Sequence, residues 1–392
     1  MSKKLTAVFL IFMLNFAVLA QESLYDYIKP GEFCVGFADT TLFDKTYRFE
    51  AYGYKGMKPY FVQIWHPLAA KPKDAHLMRF QDFFTIKKTE ELKSIKEQLE
   101  KNNQEIFIRD FVAENLETGE PGSYGDYSRE NIFGLIGKMK TKSSLQPFSA
   151  TSDFPVIIYH HGSQSNSFEN FAMAEYFASR GFIFIAANFH LPYEHTIFGL
   201  KPFDQLIKGE EEESLKAMVS FARSLSHSTS IFFIGHSWGA QMGFRTFDQD
   251  TTIKGFVSLE TTIEFKNDSV VIKDLWPEVY QKIVNQKAYY PFPVLLCAAT
   301  GQEKPFDFFT QLNAPHIIYA PTEAQFEHNA YLSMFYLRLF LDESIPQADK
   351  AMLIERLVLY VKHLETIEEY FNQIMNNEYG FGKEVRSINN HY

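Results

Sequence analysis

The sequence predicts an α/β protein with a mostly parallel central sheet, helices on both faces and a helical insertion. Three observations carry this expectation. From residue 154 onward, short fully apolar runs alternate with amphipathic stretches, the pattern of parallel strands covered on both sides. One such run, 231–234, leads into Gly235-His236-Ser237-Trp238-Gly239 and then an Ala/Gly-containing helical segment, which sets a G-x-S-x-G motif in a strand–turn–helix context. The chain has 392 residues, 46% hydrophobic and 22% charged, enough to bury a sizeable core and inconsistent with wholesale disorder.

Taken in order, residues 1–20 pair Lys3 and Lys4 with an apolar run that ends in Val18-Leu19-Ala20. This reads as a cleavable export signal cut after Ala20, and the run is short for a bilayer span of ~20 residues. The following section, to Pro67, reads as strands at 33–37, 47–52 and 60–65, with Gly53 to Pro59 as the punctuating turn. Between 71 and 150 the composition shifts. Thr89 is a plausible N-cap for a helix with Leu92, Ile95 and Leu99 on one face, and 114–127 is rich in Gly, Pro and acids. This stretch reads as a helix-and-loop insertion and a candidate lid. Beyond it the pattern gives strands at 156–159, 182–187, 231–234, 255–259, 293–299 and 315–319, with helices at 168–180, 211–225 and from Trp238. Pro346 opens a long closing helix, 346–375, carrying Met352, Leu353, Leu357, Val361, Leu364, Ile367 and Phe371. After the signal at 1–20, residues 21–392 thus read as one catalytic domain with an insertion at 71–150.

Charge and cysteines narrow the function. The net charge is 38 − 48 = −10, or 36 − 48 = −12 without Lys3 and Lys4; with no concentrated basic patch, nucleic acid is not an expected partner. Cys34 and Cys297 are too few for a disulfide scaffold and read as buried free thiols. Glu210 to Glu213 read as a solvated helix start. His190 and His195 bracket four residues without a zinc-type spacing and read as pocket wall. No metal or organic cofactor is expected. The 40 Phe and 21 Tyr suggest an aromatic core and an apolar acyl pocket.

The G-x-S-x-G turn needs Gly at 235 and 239 so that helix and strand approach closely, holding Ser237 exposed above the sheet. A serine hydroxyl needs a base, and this motif places an acid and then a histidine downstream. Of His316, His328, His363 and His391, only His328 lies in a loop between the last strand of that run and a helix. The acid stays open among Glu260, at the end of strand 255–259, and Glu303 and Asp307, after strand 293–299. Two N–H groups suit an oxyanion: that of Trp238, just after the nucleophile, and that of Ser163 in the turn His160-His161-Gly162-Ser163.

At this point the chain resembles a family. Val35-Gly36 with Leu42-Phe43-Asp44, Val62-Gln63-Ile64-Trp65-His66-Pro67, the His-Gly turn, Phe177-Ala178-Ser179-Arg180-Gly181-Phe182 and the serine turn are similar to the platelet-activating-factor acetylhydrolase and dienelactone-hydrolase branch of the α/β-hydrolases. The resemblance covers 34–67 and 154–330, not 71–150 or the last helix. It implies an α/β-hydrolase fold, and it favours Glu260 as the acid, because Gly255-Phe256-Val257-Ser258-Leu259-Glu260 is similar to the family's Gly-x-x-Leu-Asp with Glu in place of Asp. Ala240 stands where the family commonly has a further Gly. The expectation is an exported serine carboxylic-ester hydrolase acting on a small-molecule ester or lipid, without a stable protein partner. A lipid acyl hydrolase and a catalytically silent hydrolase fold used for binding are the alternatives.

Overall fold

The computed structural model describes residues 23–70, 76–85, 90–115, 120–121, 129–149, 152–163, 165–190, 209–260, 273, 277–300, 311–322, 326–341, 345–378 and 384–385. The export signal at 1–20, Thr89, His195, Glu303, Asp307 and His391 lie outside the described residues.

The described strands are β1 (Cys34–Ala51), β2 (Tyr54–Leu68), β3 (Leu77–Arg79), β4 (Ala113–Asn115), β5 (Glu120–Pro121), β6 (Lys140–Leu145), β7 (Val156–His160), β8 (Ile183–Ala187), β9 (Ile231–His236), β10 (Ile253–Leu259), β11 (Val294–Thr300), β12 (Ile317–Thr322) and β13 (Glu384–Val385). The longer helices are α1 (Lys93–Val112), α2 (Arg129–Ile136), α3 (Phe171–Ala178), α4 (Glu210–Leu225), α5 (Trp238–Thr246) and α6 (Gln347–Met375). Eleven of the strands form one sheet in the order β13-β12-β11-β10-β9-β7-β8-β2-β1-β6-β3. Every pairing from β8 through β7, β9, β10, β11 and β12 to β13 is parallel, while β2 joins β8 antiparallel.

The parallel strands are apolar on both sides because each side meets helices. Ile157, Tyr159, Phe232, Ile234, Val257 and Leu259 face one core layer, shared with α3 and α6. Val156, Ile158, Ile231, Phe233, Phe256 and Val294 face the other, shared with α4 and α5. This period-two division follows from the strand pleat. On α6, Leu353, Leu357, Leu364, Ile367, Phe371 and Ile374 are buried, and Phe371 stacks on Phe232 with ring centres 4.2 Å apart.

Three local expectations change. The two early strands at 33–37 and 47–52 are one strand, β1, continued through a register shift between Asp44 and Arg48; the polar run between them pairs with β2 at an irregular edge. The hairpin turn is only Tyr52-Gly53, with φ of 52° and 76°, the geometry of a two-residue turn that follows strand twist. Within 71–150, β6 pairs parallel with β1 and β3 antiparallel with β6, so this stretch extends the sheet as well as supplying α1 and α2. Leu92, Ile95 and Leu99 do form one buried face, packed with Phe49, Tyr54 and Phe61 of the hairpin. The small pair β4–β5 lies in the acid-rich stretch.

Neither cysteine is in a disulfide; Cys297 is buried and Cys34 half-buried. Their strands are six sheet positions apart, roughly 29 Å at ~4.8 Å per strand, far beyond disulfide reach.

Candidate active site

The chain enters the parallel sheet at β7, steps to β8 on one side, and returns past β7 to β9 on the other. The loops after β7 and β9 therefore diverge, and a crevice opens between them at the carboxyl ends of the strands. The two turns singled out from sequence, His160-His161-Gly162-Ser163 and Gly235-His236-Ser237-Trp238-Gly239, are those two loops.

Ser237 sits between β9 and α5 with φ 52° and ψ −119°, a conformation that costs a side-chain-bearing residue on the order of 1–3 kcal/mol. The flanking glycines explain how it is imposed. A Cβ on Gly235 would lie 2.4 Å from the Ala240 nitrogen, and one on Gly239 would lie 2.2 Å from the His160 carbonyl oxygen. Helix, strand and the neighbouring β7 thus close on a turn that no larger residue fits. The Ser237 N–H donates to the Leu259 carbonyl (3.0 Å), tying the turn to β10. Trp238 is the first residue of α5, where helix N–H groups point outward past the helix start.

Across β10, Glu260 is fully buried, also at positive φ (42°), and its N–H continues the ladder to the Cys297 carbonyl (2.9 Å). Its carboxylate meets Nδ1 of His328. His328 opens a short 3-10 turn after β12, with 22% of its side chain exposed. Burial lowers its ring to about 4, so it is neutral near pH 7 and presents Nε2 away from Glu260. The His328 carbonyl accepts the Nε2–H of His236 (3.1 Å), which brings the His328 loop against the residue before Ser237. Among the described residues no hydrogen bond joins the Ser237 hydroxyl to His328; such contacts commonly tighten only when substrate is bound.

The turn after β7 is built from neutral histidines. Burial, with His190 nearby, lowers His161 to about 3. Its Nδ1–H donates to the Gly162 carbonyl (2.7 Å) and its Nε2 accepts from the Phe189 N–H (3.3 Å). His160 stacks on Phe189 at 3.8 Å. Gly162 lies beside Ser237: a Cβ there would be 3.6 Å from Ser237 Cβ. The Gly162 N–H donates to Glu169 Oε1 (3.3 Å), and the next N–H along the turn is that of Ser163.

Of the residues singled out from the sequence, the structure sets Glu260 against His328 and the Gly162-Ser163 turn beside Ser237, which Trp238 follows at the head of α5. The sequence pattern did not single out Glu169, His236 or Tyr159. An acid at the start of an otherwise apolar helix, Phe168-Glu169-Asn170-Phe171, was the one available signal for Glu169. Of the four acids at the head of α4, Glu213 is solvated as expected, paired with exposed Lys216, and the other three are not. Glu210 pairs with Lys58 (2.9 Å), both about 5% exposed; Glu211 approaches His190 and the Trp238 indole N–H at 3.4 Å; and Glu212 accepts from Arg245 Nε (3.0 Å). Packing of α4 against β2 and α5 brings cations and donors to that helix start.

The chain has the α/β-hydrolase fold. A ferulic acid esterase from Streptomyces cinnamoneus is 11% identical, with a TM-score of 0.53 over 88% of this chain and 92% of that one. Brefeldin A esterase, a bacterial homologue of human hormone-sensitive lipase, is 10% identical over 90% and 83% of the two chains, with a TM-score of 0.39. Est1E from Butyrivibrio proteoclasticus bound to ferulic acid is 19% identical over 52% and 89%, with a TM-score of 0.30. No family model and no curated protein sequence matches the chain.

Proposed function

We propose that the protein is a serine carboxylic-ester hydrolase working through Ser237, His328 and Glu260. The carrying observation is the pairing of His328 with Glu260 at the end of β10, beside a serine held at φ 52° between two sterically obligatory glycines. Ser237 Oγ forms a bond to the ester carbonyl carbon while its proton passes to His328 Nε2. The resulting oxyanion is held by the N–H groups of Trp238 and Ser163, each worth roughly 3–4 kcal/mol. Collapse breaks the bond to the alcohol, which leaves with the proton from His328. Water then gives its proton to His328 and attacks the acyl-enzyme, and Ser237 recovers its proton as the acid departs. Glu260 fixes the Nδ1–H tautomer and offsets the positive charge on the ring. No step requires a metal or organic cofactor.

Fluorophosphonate labelling tests the nucleophile. Purified protein should be labelled, and Ser237→Ala should lose both labelling and turnover of p-nitrophenyl esters, by about 10⁴-fold or more. Labelling that survives the substitution removes Ser237 from the role, and no labelling of the parent protein favours the silent-fold reading. The sequence resemblance supports placing the enzyme in the acetylhydrolase and dienelactone-hydrolase branch, with short-acyl esters or acyl lipids as substrates. A panel of acyl lengths separates an esterase, fastest at two to four carbons, from a lipid acyl hydrolase. The leader supports export, for which the amino terminus of protein recovered from cells should be Gln21.

A further inference from the structure

Behind the serine turn lies a buried carboxylate that none of these steps uses. Glu169 is fully buried just before α3. Its Oε1 accepts the Tyr159 hydroxyl (2.5 Å) and the Gly162 N–H (3.3 Å), and lies 3.7 Å from Nδ1 of His236. The His236 ring spans from there to the base loop. A carbonyl only accepts, so the contact with His328 puts the ring proton on Nε2. The same short segment grips that loop a second time. The Glu169 carbonyl accepts from the Ser333 hydroxyl and the Met334 N–H, both 3.1 Å, and Asn170 Oδ1 accepts the Ser333 N–H (3.0 Å). The turn after β7, the serine turn and the His328 loop come from separate parts of the chain, and Glu169 or its immediate neighbours touch all three.

We propose that Glu169 is a positioning residue for ester hydrolysis. As an acceptor it fixes the Gly162 N–H, so that the following N–H, of Ser163, is held at Ser237; packed against the His236 ring at 3.7 Å, it also fixes the place from which the His236 Nε2–H holds the His328 loop. The inference rests on the hydrolase reading above and adds the element that registers its two halves. A purely structural carboxylate would satisfy Tyr159 and act on stability alone. One that sets catalytic geometry acts on kcat, because a displacement of about 1 Å costs up to ~10²-fold.

The experiment compares Glu169→Gln, Glu169→Ala and His236→Phe in the full chain, with kcat, KM, melting temperature and fluorophosphonate labelling measured for each. Gln retains a carbonyl acceptor for the Tyr159 and Gly162 donors and should recover kcat to within about fivefold. Glu169→Ala should lose kcat by about 30- to 100-fold with KM within twofold of the parent. His236→Phe keeps a ring of similar shape but loses the Nε2–H donor, and should lose kcat about tenfold even if Glu169→Ala does not fold. Unchanged kcat in a folded Glu169→Ala or His236→Phe overturns the inference, as does a change confined to KM or a Gln variant as slow as Ala. In those cases Ser237-dependent labelling of the parent leaves the hydrolase reading intact; its absence removes that reading and this inference together.

Discussion

Two residues at the site, Ser237 and Glu260, occupy left-handed backbone with φ of 52° and 42°, and both lie at carboxyl ends of strands in the parallel run. Glycine would relieve the strain at either position but would remove the chemistry with it. For Glu260 the proposed duty is to orient the His328 ring, so Glu260→Gln should lower kcat by about 10²- to 10⁴-fold with little effect on KM, measurable with a single short-acyl ester. The pH profile gives a second readout. Only neutral His328 accepts the Ser237 proton, and burial holds its ring at about 4, so kcat/KM should stay level below pH 6.5 and fall as pH approaches 4. A carboxylate favours the protonated ring, so removing its charge should move this acid limb lower still; an upward move would place Glu260 elsewhere. At this scale the serine turn was legible because glycine spacing and chain context constrain it locally. The choice of Glu260 needed the family likeness, since nothing in one sequence reports which loop end meets His328.

The elements around the site are locked by close backbone approach as well as by side-chain bonds. Gly239 has the His160 carbonyl where its Cβ would be, at 2.2 Å, and backbone atoms of β7 cannot give way cheaply. Gly239→Ala should therefore destabilise by about 3 kcal/mol or more, read from the urea midpoint. Gly134 of α2 is the opposite case, with nothing within 4 Å of the same position; Gly134→Ala should stabilise by about 0.5–1 kcal/mol. Parallel strands and the closing helix were readable because fully apolar runs and a 3.6-residue period are local signals. β6 was not, since Lys140–Leu145 reads KTKSSL. Its partners are β1 and β3, and its buried Thr141, Ser143 and Ser144 are satisfied by the Met78 carbonyl, Glu175 and the Val35 carbonyl, distant partners that no apolar pattern reports.

Over the whole molecule, the phenylalanine excess goes largely into the core. Phe80, Phe83, Phe84, Phe107, Phe168 and Phe171 form one continuous set of ring contacts between α1, α3 and the sheet. Buried among such rings are histidines held neutral. Burial lowers His161 and His363 to about 3 and His328 to about 4, and holds His160 and His236 well below the ordinary value. On unfolding each would take up a proton below about pH 6.5. Their contribution to stability is therefore complete above that pH and is lost as pH falls toward 4 and 3, by about 1.4 kcal/mol per pH unit for each such histidine. Melting temperature should fall steeply from pH 6.5 to pH 4. His363, lying 5.0 Å from the rings of both Phe326 and Tyr331, offers the check: His363→Phe should flatten the slope by up to one proton's share, and an unchanged slope would place the acid sensitivity in other groups.

The sequence by itself determined the layered α/β architecture, the serine turn and the histidine that follows the sheet, because each rests on periodicity, on glycine sterics or on order along the chain. Only the tertiary structure decided that Glu260 meets His328, that Glu210 of α4 finds a buried partner in Lys58, and that Glu169 stands between the two diverging loops. These are contacts between segments from about 70 to about 150 residues apart in the chain, and their formation depends on strand order and sheet twist, which no local pattern of residues encodes.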